Sequence, residues 1–192
     1  KQFITMKARF LALAALVLGL ASCQTEPEGL DVNVGGEVDT VVTLSLPETT
    51  RANSALGAFE NVDWSVYTIR YQMEIYDANG RKSDAIYEKY LDGNEGKSVV
   101  FPVRLVPGRH YNFVVWADIV TDAEKTDLHY NTANLNAVSV ITTNNQWKAM
   151  DETRDAFTAN LVVEEYAGSS NLEMTLKRPF AKLRVIATDV AD

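Results

Sequence analysis

The chain has 192 residues, of which 46% are hydrophobic, and it carries 18 basic and 26 acidic side chains for a formal net charge of −8. This length and apolar content suit one ordinary domain with a packed core. The excess of negative charge repels phosphate backbones and so excludes nucleic acid as an expected partner.

Residues 6–23 read MKARFLALAALVLGLASC and have the three parts of a secretory signal. Lys7 and Arg9 precede an apolar run of 11 residues, Phe10 to Leu20, and small residues then lead to Cys23. A mature membrane-spanning helix needs about 20 apolar residues, so the run is too short for one. The motif Leu-Ala-Ser-Cys resembles the lipobox of bacterial lipoproteins, in which the cysteine thiol is acylated and becomes the first mature residue. The alternatives are an ordinary signal peptide, or a buried apolar helix with a chance cysteine.

We therefore expect residues 1–22 to be upstream sequence and signal peptide, with Met6 as the start. Their removal leaves 15 basic and 26 acidic residues, a net charge of −11. Because Cys23 is the only cysteine, no internal disulfide and no thiolate metal site can form. Residues 23–37 are polar, acidic and without period, which predicts a lipidated tether. Residues 38–192 are then expected to form one folded domain.

Alternation of apolar and polar residues predicts short strands over most of this domain. The predicted strands cover residues 38–46, 67–75, 86–91, 99–105, 111–117, 138–141, 156–163 and 172–176, with further alternation at 183–187. Residues 67, 69, 71, 73 and 75 should face the core, and the segment 111–117, apolar on both faces, should be a central strand. Asn79-Gly80 predicts a hairpin, and Pro102 predicts an edge strand or a bulge. One helical turn is expected within residues 145–154. The whole pattern predicts an all-β fold, an antiparallel Greek-key β-sandwich of about seven to nine strands.

The sequence offers little for catalysis. His110 and His129 lack a metal spacing, and no nucleophile elbow, phosphate loop or calcium-loop pattern is present. We therefore expect no enzyme activity, no cofactor and no metal. Trp64, Trp116 and Trp147 are candidates for a sugar-stacking platform, and core packing is the alternative for each.

Three stretches resemble the N-terminal domains of Bacteroidales fimbrillin-like lipoproteins, the type V pilins and their relatives. They are residues 46–52 (LPETTRA), 111–118 (YNFVVWAD) and 176–185 (LKRPFAKLRV). The resemblance implies export as a lipoprotein to the outer membrane or cell surface, and cleavage by a trypsin-like protease after an arginine beyond the first strand. Arg51, followed by Ala52, matches that position. Loss of the first strand would open a groove for a C-terminal strand of the next subunit. In that family a second domain normally carries such a strand; none is visible in this sequence, and a longer protein with that domain after Asp192 is one interpretation.

Two functions are carried forward. The leading hypothesis is a non-enzymatic surface lipoprotein of the fimbrillin-like class, a pilus subunit, anchor or adhesion component. Its expected partners are the membrane, through lipid on Cys23, other pilin-like subunits, and a host or glycan ligand. The alternative is a glycan-binding surface lipoprotein that uses the three tryptophans, with Arg51 as an ordinary solvated loop residue.

Overall fold

The computed structural model describes residues 36–47, 59, 61–94, 97–143, 148 and 151–180. Nine β-strands lie in this described part, joined by turns and two short 3₁₀ helices. In chain order the strands are β1 (Val38–Ser45), β2 (Tyr67–Tyr76), β3 (Tyr87–Leu91), β4 (Ser98–Leu105), β5 (Tyr111–Thr121), β6 (Tyr130–Asn131), β7 (Ser139–Val140), β8 (Ala156–Val163) and β9 (Asn171–Thr175). The 3₁₀ helices are Leu135–Ala137 and Glu152–Arg154.

The strands form two larger sheets that pack against each other as a β-sandwich, which confirms the predicted fold class. The three-stranded sheet has the order β4-β1-β9, and the four-stranded sheet has the order β3-β2-β5-β8. A small third sheet pairs β6 with β7. Neighbouring strands are antiparallel except for β1 and β9, which are parallel over five residue pairs from Val41 opposite Asn171 to Ser45 opposite Thr175. That parallel pair was not predicted.

The main core lies between the two larger sheets, because each contributes an apolar inner face. Every second residue of β4 is buried, and the predicted inward face of β2 is buried at Ile69, Tyr71, Met73 and Ile75. β4 is an edge strand, as Pro102 predicted. β5 is central, between β2 and β8, as its two apolar faces predicted.

A second, smaller apolar cluster explains why β5 is apolar on both faces. Val114 and Trp116 point away from the main core and pack with Tyr130, Leu135 and Ala156. The segment between β5 and β8 therefore covers the outer face of the four-stranded sheet. On the other side of β2, where the alternation alone had indicated a polar face, Thr68 and Arg70 are buried, whereas Gln72 and Glu74 are partly exposed.

Some predicted boundaries differ from the structure. β3 begins at Tyr87, one residue later than expected, since the pairing with β2 ends at Met73 opposite Tyr87, and Ile86 is 90% exposed. The helical turn expected within 145–154 is the 3₁₀ helix Glu152–Arg154, whose Thr153 amide donates to the carboxylate of Asp151. The alternation at 183–187 lies outside the described residues.

Candidate functional site

The first strand occupies the middle of the three-stranded sheet. β1 pairs with β4 along all eight residues, from Val38 opposite Leu105 to Ser45 opposite Ser98, and with β9 on its other side. The pairing continues just beyond the strand, since the Leu46 amide donates to the Lys97 carbonyl at 2.9 Å. We call the groove between β4 and β9 that β1 fills the β1 slot.

The inner face of β1 is almost completely buried. Val42 and Leu44 are 0% exposed and Leu46 is 3% exposed, all three within the main core. Burial of such side chains stabilises the native state by about 1.5–3 kcal/mol each. If β1 left, it would expose an apolar groove flanked by two strands with unpaired backbone groups, which is a template for another strand.

One polar side chain interrupts this apolar face. Thr40 is 1% exposed, and its hydroxyl is hydrogen-bonded to the hydroxyl of Tyr166. It also lies 3.2 Å from the carbonyl oxygen of Ser169, to which the Tyr166 hydroxyl donates as well. Tyr166 is 1% exposed, so this is a buried polar contact at the start of the β1 slot.

The connection from β1 to β2 is anchored at both of its ends. Leu46 is buried where the connection begins, and Phe59 is buried where it returns to the core. The Phe59 ring packs edge-on against Phe157 at 5.1 Å, and its amide donates to Asp155 at 3.4 Å. Arg178 holds the same carboxylate through two hydrogen bonds of 2.8 and 2.7 Å. Residues 48–58, including Arg51 and Ala52, lie outside the described residues, as does Cys23.

The outer edges of β4 and β8 carry features that oppose the addition of another strand. The Lys89 ammonium donates to the carbonyl of Val100, so this carbonyl points away from β1. By the two-residue period of a strand, Pro102 presents its nitrogen on the same outer side of β4, where it offers no donor. On β8, Thr158 and Lys177 exchange two backbone hydrogen bonds of 2.8 Å. These features discourage strand addition at the β4 and β8 edges.

A buried ion pair lies on the opposite face of the four-stranded sheet. The Arg70 guanidinium makes hydrogen bonds of 3.0 and 2.8 Å with the two oxygens of Asp118, which is 0% exposed. A third bond of 2.8 Å reaches Asp127, whose carboxylate also accepts from the amide and hydroxyl of Thr132. The network therefore ties the segment after β5 to the sheet.

Burial and pairing act in opposite directions on the pKa of Asp118, and they do so on the pKa of Arg70 as well. Burial raises the pKa of Asp118, and the hydrogen bonds from Arg70 only partly oppose this shift. Although burial alone lowers the pKa of Arg70, the hydrogen bonds and charges of Asp118 and Asp127 raise it above its ordinary value. Arg70 therefore stays charged, and the role of the ion pair is structural.

The structure does not bring the described tryptophans together. Trp64 is partly buried against the main core, and its indole lies so close to Gly93 that a Cβ there would come within 2.1 Å of the ring. Trp116 belongs to the second cluster, is 7% exposed and packs edge-on against Tyr130 at 5.2 Å. Trp147 lies outside the described residues. A shared sugar platform is therefore not formed by Trp64 and Trp116, and the glycan-binding alternative gains no support from them.

The histidines are also apart. His110 lies 3.0 Å from Glu164 at the surface, whereas His129 is buried and lies 2.8 Å from the hydroxyl of Thr153. Among the residues that the structure describes, no group of three or more metal-ligating side chains occurs. In the same part of the chain, no helix is long and apolar enough to cross a membrane.

Sequence reasoning missed the polar contacts that hold the β1 slot and its surroundings. One signal was available for Thr40, which breaks the apolar alternation of β1, whereas Arg70 lies on the face of β2 that the alternation marks as polar. Their partners, Tyr166 and Asp118, are 126 and 48 residues away, so the pairs themselves follow only from the fold.

Similarity to known proteins covers this same sandwich region. No curated protein and no solved structure matches the chain. A family model described as a family of unknown function (DUF6562) matches residues 31–192, and the chain therefore belongs to that family.

Proposed function

We propose that this chain is a non-enzymatic, lipid-anchored surface protein that assembles with another subunit by β-strand addition at the β1 slot. The observation that carries the proposal is the position of β1. It is the first strand among the residues that the structure describes, it lies between two strands, and it is followed by a polar connection that contains Arg51. The lipid on Cys23 would hold the chain at the outer membrane, 15 residues before β1 begins.

Cleavage in the connection would remove the covalent tie of β1 to β2. Arg51 lies between Leu46 and Phe59, the two buried anchors. A cut after Arg51 leaves both anchors in place, since Phe59 packs on Phe157 and its amide donates to Asp155. The cut therefore removes only the covalent link between the strand and its slot.

An incoming strand would then replace β1 in a defined geometry. It would run antiparallel to β4 and parallel to β9, in the direction of β1 itself. It would recover backbone hydrogen bonds on both sides, whereas a strand added to an outer edge recovers them on one side only. Because strand addition is opposed at the outer edges of β4 and β8, an incoming strand should prefer the β1 slot.

Limited trypsin digestion of the folded protein, followed by mass spectrometry, tests the cleavage step. We expect the first cut after Arg51, and we expect the Arg51→Ala variant to lose that product. Arg81→Ala is the matched control, because Arg81 is an exposed arginine in a turn far from β1, and this variant should digest like the parent.

A labelled peptide with the sequence of residues 38–47 tests the exchange step. It should enter the nicked protein and displace β1, and it should not enter the intact protein. A first cut elsewhere, unchanged by Arg51→Ala, would remove Arg51 from the mechanism. Failure of the peptide to enter the nicked protein would remove strand addition, leaving a lipid-anchored binding domain as the better interpretation.

A further inference from the structure

We propose that the β1 slot selects strands with a serine or threonine at the position of Thr40 and apolar side chains two, four and six residues later. Tyr166 and Ser169 would recognise the hydroxyl and so fix the register. The partner is thus a strand with the pattern hydroxyl-x-apolar-x-apolar-x-apolar, as β1 has in Thr40, Val42, Leu44 and Leu46. This inference rests on the proposed function, because it describes the occupant of the same slot.

The alternation of β1 alone does not fix its register. Side chains alternate with a period of two, so a shift by two residues keeps apolar residues facing inward. Hydrophobic contact therefore distinguishes poorly between the native register and registers shifted by two. A single buried polar group removes this degeneracy when only one register gives it a partner.

Thr40 supplies that polar group. A shift that places Thr40 where Val42 lies now buries its hydroxyl in the apolar core, without the partners it has in the native register. The opposite shift places Val42 beside the Tyr166 hydroxyl and Glu48 in the place of Leu46. A carboxylate in that buried place is strongly unfavourable. Both neighbouring registers are therefore penalised, one at each end of the strand.

Tyr166, the side chain that recognises the hydroxyl, is held by parts of the fold other than β1. The Tyr166 amide donates to the Arg109 carbonyl at 2.8 Å, and the Gly108 amide donates to the Tyr166 carbonyl at 2.8 Å. The Tyr166 ring also packs edge-on against Tyr111 at 6.1 Å. These contacts join the β8–β9 connection to the β4–β5 turn, so Tyr166 keeps its position when β1 leaves. The Tyr166 part of the recognition site is therefore preformed for the next strand.

Peptide exchange into a nicked chain tests the inference. The chain carries Cys23→Ser and a site-specific protease sequence inserted after Arg51, so that the result does not depend on natural cleavage. Labelled peptides of residues 38–47 compete with β1, and their affinity is measured by fluorescence anisotropy. The Thr40→Val peptide should bind about fivefold more weakly than the parent, the change expected for one net hydrogen bond. The Thr43→Val peptide is the matched control, because Thr43 lies on the outer face of the same strand and should bind like the parent.

The same pair of peptides is then compared on a Tyr166→Phe chain. Discrimination between threonine and valine at position 40 should fall, since one of the two partners of the Thr40 hydroxyl is gone and only the Ser169 carbonyl remains. The register is checked with a Thr43→Cys peptide and a Val100→Cys chain, because these residues are opposite each other in the native pairing. A disulfide should form with the parent sequence, and its yield should fall when Thr40→Val is added.

The outcomes separate this inference from the proposed function. If the parent peptide enters and the Thr40→Val peptide binds equally well, recognition of the hydroxyl is wrong while strand addition stands. If discrimination is undiminished on the Tyr166→Phe chain, Tyr166 does not recognise the hydroxyl and the inference is overturned. If no peptide enters, the proposed function fails and this inference fails with it.

Discussion

Replacement of Leu44 by alanine is the most direct test of how strongly β1 is held. Leu44 is 0% exposed at the middle of the slot, opposite Val99 of β4 and Met174 of β9. Leucine-to-alanine changes at such sites remove the transfer free energy of the side chain and leave a cavity, which together cost about 2–5 kcal/mol. The matched control is Thr43→Ala. Its hydroxyl is a surface group 3.4 Å from Asn171, and we expect a cost below about 1 kcal/mol.

Urea unfolding followed by tryptophan fluorescence measures both variants. With a denaturant slope of about 2 kcal/mol per molar, a loss of about 3 kcal/mol lowers the midpoint by about 1.5 M. In the nicked protein the same loss weakens the binding of β1 by about 100-fold, since 1.4 kcal/mol corresponds to a factor of ten. Equal midpoint shifts for Leu44→Ala and Thr43→Ala would refute the inward assignment of Leu44. A shift of both below about 0.3 M would show that β1 contributes little to the fold.

Two further predictions concern the anchor and the buried ion pair. Cys23→Ser should move the protein from the membrane fraction to the soluble fraction, as fractionation and immunoblotting would show, and a lipidated serine variant would contradict this. Arg70→Met should lower the free energy of unfolding by about 3–5 kcal/mol at pH 7, because it leaves Asp118 buried without its two-bond partner. Burial raises the pKa of Asp118, so the folded state holds this proton more tightly than the unfolded state, and stability falls as pH rises through the raised pKa. The deficit of Arg70→Met should therefore shrink from pH 7 to pH 5 in urea titrations and largely disappear when Asp118→Leu is added; a constant deficit would contradict the assignment.

The strands with one buried face were predictable because the alternation that identifies them lies within each strand. In β1 and β4 the side chains that face the core recur at every second residue, and the structure buries those positions. Pro102 placed β4 at an edge, since proline cannot donate to a ladder, and β4 is an edge strand. β5 was recognisable as central because neither of its faces is polar.

The parallel pairing of β1 with β9 was not predictable in the same way. It joins residues about 130 positions apart in the chain, and nothing in either strand states which neighbour it takes. The same reason hid the contact of Arg70 with Asp118. Arg70 lies on the face of β2 that the alternation marks as polar, so nothing local signals its burial, and the identity of its partner depends on how β2 and β5 pair.

The candidate functional residues differ in the kind of sequence feature that selected them. Cys23 and Arg51 were selected from linear motifs and lie outside the described residues, so they stay predictions. Trp64 and Trp116 were selected by residue type, and residue type does not say which side of a sheet a ring occupies. Thr40 was not selected, although it is the residue on β1 whose polarity conflicts most clearly with its surroundings.

The proposed strand addition would place two opposed demands on β1, retention before cleavage and release after it. Before cleavage the strand has to stay in its slot, and the covalent connection would assist by keeping its effective concentration high, in the millimolar range for short flexible links. A cut between Leu46 and Phe59 would remove that advantage, and the two anchors would lie on opposite sides of the cut. The buried side chains of Val42, Leu44 and Leu46 would then set the rate of release, and the Thr40 hydroxyl would set the register that a replacement adopts. On this proposal cleavage changes the competition between strands, and a replacement that matches β1 in pattern should succeed when its local concentration exceeds that of the released strand.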